Sequence, residues 1–224
     1  MSAVDAVIVT GAAGALGAAV VAEFRALDRP VVALDRPGER LDALGEQDGV
    51  HAVAADLASR AAVHEAFGAV PVACDALVGL AGGFTPGALA DVDEESLELL
   101  WRSNFGSALW TAQAAAPLFT GGGAIVNVGS KTAVQGPGPV AHATSKAAVV
   151  RLTQLLADEL RPQRIRVNAV LPSVIDTPAN RSWMSEDLAA RAVAPAAIAK
   201  VIAFLCSPDA APISGAAIPV YGDA

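Results

Sequence analysis

The segment Thr10-Gly11-Ala12-Ala13-Gly14-Ala15-Leu16-Gly17 lies between a β-branched apolar run, Ala6–Thr10, and an apolar-periodic stretch, Gly14–Leu27. A glycine turn in that place brings backbone N–H groups against a pyrophosphate at a helix N-terminus. Asp35 stands about 20 residues further on, where an acid can take both hydroxyls of a ribose and repel a 2′-phosphate. Arg36 follows it and pulls the other way, because a guanidinium grips phosphate. The pattern predicts a dinucleotide site, with NADH favoured by Asp35 and NADPH left open by Arg36.

Such a turn needs a strand before it and a helix after it, and the whole chain supplies that alternation. The strand candidates are Ala6–Thr10, Pro30–Leu34, Val50–Ala54, Ala76–Leu80, Ala124–Val128, Arg166–Val170 and Ala217–Val220. Most are rich in valine and isoleucine and apolar on both faces, as central strands of a covered parallel sheet are. Gly14–Leu27 is apolar at Leu16, Val20, Phe24 and Leu27, and Ser145–Leu160 repeats the helical spacing at Val149, Leu152, Leu156 and Leu160. Ser96–Leu118 reads as one long helix. Loops are expected at Gly121–Gly123 and Gly136–Pro139. The alternation predicts an α/β, Rossmann-type doubly wound parallel sheet of about seven strands, with helices on both faces. One domain over residues 1–224 is expected, with no linker, repeat or low-complexity tail.

Composition narrows the function classes. The 224 residues are 54% apolar and 17% charged, with a net charge of −8. An acidic surface argues against nucleic acid and anionic membrane as partners. The uncharged stretches 6–22 and 103–130 approach spanning length, but Gly11, Gly14 and Gly17 interrupt the first, and Pro117 and Gly121–Gly123 break the second. Asp5 stands where a secretory leader would carry basic charge. Cys74 and Cys206 make neither a metal cage nor a disulfide framework, and His51 and His64 have no clustered ligands. No metal site and a reduced, cytoplasmic setting are expected.

Further motifs follow in order. Asp56-Leu57 comes after the third strand, Ala81-Gly82 after the fourth, Ile125-Val126-Asn127-Val128-Gly129-Ser130 at the fifth, Arg166-Val167-Asn168-Ala169-Val170-Leu171-Pro172 at the sixth, and Ser214-Gly215 with Val220-Tyr221-Gly222 at the end. With the glycine turn they make the sequence resemble the short-chain dehydrogenase/reductase superfamily over nearly the whole chain. The resemblance implies that Asp56 and Leu57 meet adenine, that Ser130 is the catalytic serine, and that Pro172, Ile175 and Thr177 lie along the nicotinamide. Gly79 and Leu80 replace the two asparagines that usually precede Ala81-Gly82. Gly14-Ala15-Leu16-Gly17, Ala81-Gly82-Gly83-Phe84 and Asp176-Thr177-Pro178-Ala179-Asn180-Arg181 look locally like the dihydropteridine reductase branch, which is NADH-preferring and reduces a conjugated C=N system. The cofactor residues implied are Gly11, Ala13, Gly14, Ala15, Leu16, Asp35, Arg36, Asp56, Leu57, Ala81, Gly82, Gly83, Val128, Lys146, Pro172, Ile175 and Thr177.

One departure carries information. The family pairs a tyrosine with a lysine four residues later; the tyrosine gives a proton to the carbonyl oxygen, and the lysine binds ribose. Lys146 is in place, but His142 stands where the tyrosine belongs, and the only tyrosine, Tyr221, is placed on the last strand. Four readings stay open. His142 can replace the phenol, since an imidazole donates a proton near neutrality, although Lys146 would lower its pKa. The substrate can instead need no strong acid, as an iminium ion, hemiaminal or quinonoid imine would not. Or the chain is a dinucleotide-sensing pseudoenzyme, or a cofactor-retaining enzyme doing non-redox chemistry. The persistence of Ser130 and Lys146 favours catalysis, and the expectation is NAD(P)H-dependent reduction of a C=N, hemiaminal or carbonyl group in a small organic molecule, polycyclic ones included.

By the same resemblance, Asn104 belongs to a proton relay toward Lys146; Lys131, beside Ser130, is read by itself as a solvated charge. The substrate side is the short lid near 178–195, where Trp183 and Met184 would close over a flat ligand, with Phe84 opposite and Ser130 and His142 at its reacting group. The family pairs subunits through the helices read at Ser96–Leu118 and Ser145–Leu160, so a homodimer or homotetramer is expected, with Leu99, Leu109 and Leu152 as candidates for the contact.

Overall fold

The computed structural model describes residues 5–70 and 72–223. Seven strands form one parallel sheet: β1 (Ala6–Thr10), β2 (Val31–Asp35), β3 (Val50–Ala54), β4 (Cys74–Gly79), β5 (Gly123–Val128), β6 (Ile165–Pro172) and β7 (Ala217–Val220). Their order is β3-β2-β1-β4-β5-β6-β7, every neighbouring pair is parallel, and the order reverses between β1 and β4. Ligands of open α/β sheets bind at such a reversal, beyond the carboxyl ends of the strands.

The period of two along each strand sorts side chains onto two apolar layers. Val7, Val9, Val31, Ala33, Ala76, Val78, Ala124 and Val126 face α1 (Ala15–Ala26), α2 (Glu39–Gly45) and a helix running from Pro195 to Cys206. Ala6, Ile8, Val32, Leu34, Leu77, Ile125 and Val167 face α3 (Arg60–Gly68) and helices after β4 and β5. All five residues of β1 are buried, which is why that run reads as continuously apolar rather than alternating.

The long helix expected from Ser96 is a composite. Asp93 caps α4 (Glu94–Leu100) by accepting from the Ser96 N–H at 2.8 Å. A π-helical turn, Trp101–Gly106, joins it to α5 (Ser107–Ala115), and a 3-10 turn ends it at Leu118. The Ser107 hydroxyl bonds the Ser103 carbonyl at 2.5 Å, a side-chain bond that competes with the regular ladder, and Gly106 adds no side chain to the widened turn. The next helix, α6 (Val140–Glu159), starts five residues before the expected Ser145, directly after Pro139, and so carries both His142 and Lys146. The lid region holds α7 (Pro178–Arg181) and α8 (Glu186–Arg191), and α9 (Pro195–Cys206) packs on α1. Tyr221 falls just after β7, not on it. No helix of the described residues is long and apolar enough to cross a membrane.

Candidate active site

Three segments meet beyond β1, β2 and β4. Gly11 takes a φ of +70°, and a Cβ there would lie 2.7 Å from the Ala81 nitrogen. The turn therefore touches the loop after β4 only as glycine. A Cβ at Gly17 would lie 2.1 Å from the Gly11 carbonyl oxygen, which lets α1 start hard against the turn. Asp35 ends β2, and its carboxylate accepts from the Ala13 N–H at 2.9 Å and the Arg36 N–H at 2.7 Å. Asp35 thus holds the turn rather than capping a helix, and Arg36 projects exposed beside it. Asp56 is exposed, Leu57 is buried, and the Asp56 carboxylate accepts from the Ala58 N–H at 3.0 Å. A side-chain-free cradle beside a carboxylate at a strand end fits a dinucleotide, with Gly14, Ala15 and Leu16 opening the helix whose N-terminus would face the pyrophosphate.

Lys146 is 8% exposed and reaches from α6 to the Val128 carbonyl at the end of β5, 2.9 Å away. Burial lowers its ammonium pKa to about 8. Asn104, on the π turn, is fully buried and bridges two segments. Its amide accepts from the Gly83 N–H at 2.9 Å, donates to the Gly83 carbonyl at 3.2 Å, and donates to the Ser145 hydroxyl at 2.9 Å; Ser145 in turn donates to the His142 carbonyl. The Asn104 side chain therefore acts across the fold rather than within its own helix. Gly82 fits between it and the lysine: a Cβ there would stand 2.5 Å from Asn104 Oδ1 and 3.1 Å from Lys146 Nζ.

His142 projects from α6 one turn before Lys146. Burial, and then the neighbouring Lys146 charge, push its pKa down to about 4. The imidazole is therefore neutral at physiological pH. Its Nδ1 is buried without a hydrogen-bond partner among the described residues, and Phe84 meets its ring edge-on, centroids 5.0 Å apart at 68°. Ser130 follows β5, and its hydroxyl lies 2.9 Å from the Thr132 hydroxyl while accepting from the Thr132 N–H at 3.2 Å. Thr132 and Ser145 were not singled out from the sequence; the hydroxyl two residues after Ser130 was the available signal for the first.

The substrate-side residues are less gathered. Phe84 joins His142, but no ring contact or hydrogen bond links Trp183 or Met184 to either residue or to Ser130. Trp183 is 57% exposed, and Met184 lines an open cleft with Arg181, Ser185, Glu186, Ala189 and Ala190. Pro172 ends β6. The Ile175 carbonyl accepts from the Asn180 amide at 2.9 Å, and the Thr177 hydroxyl caps α7 by accepting from the Asn180 N–H at 3.1 Å. Lys131 is not a purely solvated charge, since its ammonium lies 5.2 Å from the centre of the Tyr221 ring.

The chain is matched over residues 11–222 by the family model described as enoyl-(acyl carrier protein) reductase. The 3-oxoacyl-(acyl-carrier-protein) reductase MabA of Mycobacterium tuberculosis is 34% identical over 195 residues, covering 80% of this chain and 78% of that protein. L-xylulose reductase of Bos taurus is 32% identical over 231 aligned residues, covering 96% and 94%. The 4-formylbenzenesulfonate dehydrogenase of Comamonas testosteroni is 37% identical over 147 residues, and the match spans only 58% of that protein's length. Among solved structures, a double mutant of a Serratia marcescens short-chain dehydrogenase/reductase superposes with a TM-score of 0.91 at 29% identity, covering 98% of this chain and 97% of that one.

Proposed function

The chain belongs to the short-chain dehydrogenase/reductase superfamily, and we propose that within it the protein reduces a C=N bond of a small cyclic iminium or imine, with NADH as the preferred reductant. The observation that carries this reading is His142. Where a carbonyl reductase needs an acid, this site has an imidazole held neutral by burial and by Lys146. A ketone reduced to an alkoxide demands a proton as hydride arrives. An iminium ion does not: it gains hydride at carbon, its positive charge is cancelled, and the product is a neutral amine.

When bound, the reduced nicotinamide supplies the hydride. The chain's own residues would bind and orient. Backbone N–H groups of Ala15 and Leu16 would take the pyrophosphate over the turn that the Gly14 N–H closes on the Gly11 carbonyl, Asp35 the adenosine ribose, and Asp56, Leu57 and Ala81 the adenine side. Val128, Pro172, Ile175 and Thr177 would border the nicotinamide, and Lys146 its ribose. Ser130 would donate a hydrogen bond to the substrate nitrogen as its lone pair develops. Phe84 and His142 form a wall suited to a flat, weakly polar ring, and the short lid carrying Trp183 and Met184 would leave room for a fused one. Asp35 favours NADH because a 2′-phosphate there would meet a carboxylate already fixed by the turn. Subunits would pair through α4, α5 and α6, where Leu99 and Trp101 are exposed and Leu152 is buried with Ala108 and Val149.

The test is oxidation of NADH and NADPH with N-methyl-3,4-dihydroisoquinolinium and with an activated ketone, at about pH 6 and pH 8. Turnover of the iminium at both pH values with an inert ketone is expected. Ketone turnover that falls between pH 6 and pH 8 would make His142 an acid and overturn the reading. Cofactor binding without turnover of either compound would favour the dinucleotide-sensing alternative.

A further inference from the structure

A serine hydroxyl has two lone pairs and one proton. At Ser130 one lone pair takes the N–H of Thr132, two residues on, at 3.2 Å, and the Thr132 hydroxyl lies 2.9 Å away, where either oxygen can be the donor. When the Thr132 hydroxyl is the donor, both acceptor positions of Ser130 are filled and the Ser130 proton points away from Thr132, toward whatever lone pair faces it. The Thr132 side chain is itself held in place. The loop 136–138 packs on it so closely that a Cβ at Gly138 would lie 2.8 Å from both Thr132 Cβ and Thr132 Cγ2.

We propose that Thr132 is a positioning residue that commits Ser130 to donating, so that the site selects substrates presenting a lone pair, or developing one, at the reacting heteroatom. This rests on the reading of Ser130 as the group facing that atom. In this role Thr132 acts through the direction of one proton.

The test uses T132V, which removes the hydroxyl and keeps the shape and the N–H, T132S, which restores the hydroxyl, and S130A. N-methyl-3,4-dihydroisoquinolinium serves as the turnover probe with NADH. N-methyl-2-piperidone, which can only accept hydrogen bonds, serves as the binding probe by calorimetry on the cofactor complex. T132V should lower kcat for the iminium and weaken the lactam by about tenfold each, with the KM for NADH unchanged. T132S should recover both, and T132V should add nothing in an S130A background. Wild-type kcat and lactam affinity in T132V, with both reduced in S130A, would overturn this proposal and leave the reading of Ser130 standing. No effect of S130A on either probe, or no response of the wild type to either, would overturn both.

Discussion

The Asp35 carboxylate accepts a hydrogen bond from the Ala13 backbone N–H at 2.9 Å, so the acid that ends β2 is fastened to the glycine turn that follows β1. One oxygen is set by Ala13 and the other by the Arg36 N–H. The carboxylate is therefore placed before any cofactor arrives, and its charge cannot easily turn away from a 2′-phosphate. Wild-type protein should bind NADH at least tenfold more tightly than NADPH, and D35S should lower that ratio by about tenfold, since like charges brought together cost a few kcal/mol. Fluorescence titration with both nucleotides decides it, and a wild type that prefers NADPH would refute the assignment.

His142 should stay neutral far below neutrality. An NMR titration of its ring protons should show no inflection until the pH approaches about 4. The turnover of an iminium should accordingly be flat between about pH 6 and pH 7.5, because no essential group of the site titrates there.

The same shifts make stability depend on pH. Unfolded His142 titrates near 6.5 and folded His142 near 4, so between those values the unfolded chain holds the extra proton and stability falls as pH drops. Lys146 titrates near 10.5 unfolded and near 8 folded, so cofactor-free protein should gain stability as pH rises from 8 towards 10.5. Urea midpoints across pH should show both slopes. H142F should abolish the acidic one and K146M the alkaline one; slopes unchanged in these variants would mean other groups are responsible.

Replacing His142 with tyrosine restores a phenol one helical turn from Lys146. H142Y should gain reduction of activated ketones by about a hundredfold over wild type, the usual worth of a positioned acid. No gain on any ketone would show that the pocket around Phe84 rejects a carbonyl substrate for reasons of shape.

Asn104 ties the loop after β4 to α6 through Gly83 and Ser145. N104A should cost about 2 kcal/mol of stability, because two backbone groups and a hydroxyl lose their partner together. It should also weaken NADH binding through the loosened Ala81–Gly83 segment. A full loss of stability with unchanged NADH affinity would reduce Asn104 to a structural tie.

The amino-acid sequence by itself determined the sheet, the glycine turn after its first strand, and that a histidine stands four residues before Lys146. Apolar β-branched runs are local signals, and they placed all seven strands to within two residues at every end. The motif spacing likewise put His142 and Lys146 at their positions, because i and i+4 on a helix share a face whatever surrounds them. What the side chains do there was decided only by tertiary structure. The charge state of His142 depends on how much water its ring loses and on an ammonium one turn away. The π turn that carries Asn104 holds a hydroxyl-to-carbonyl bond from Ser107 to Ser103, and no apolar period records it. Asp35 was legible as an acid at a strand end, but its bond to Ala13 spans 22 residues and exists only because β1 and β2 lie side by side. Trp183 and Met184 had the composition of a lid wall, yet packing alone decides whether an aromatic closes on a ligand, and the structure leaves Trp183 more than half exposed.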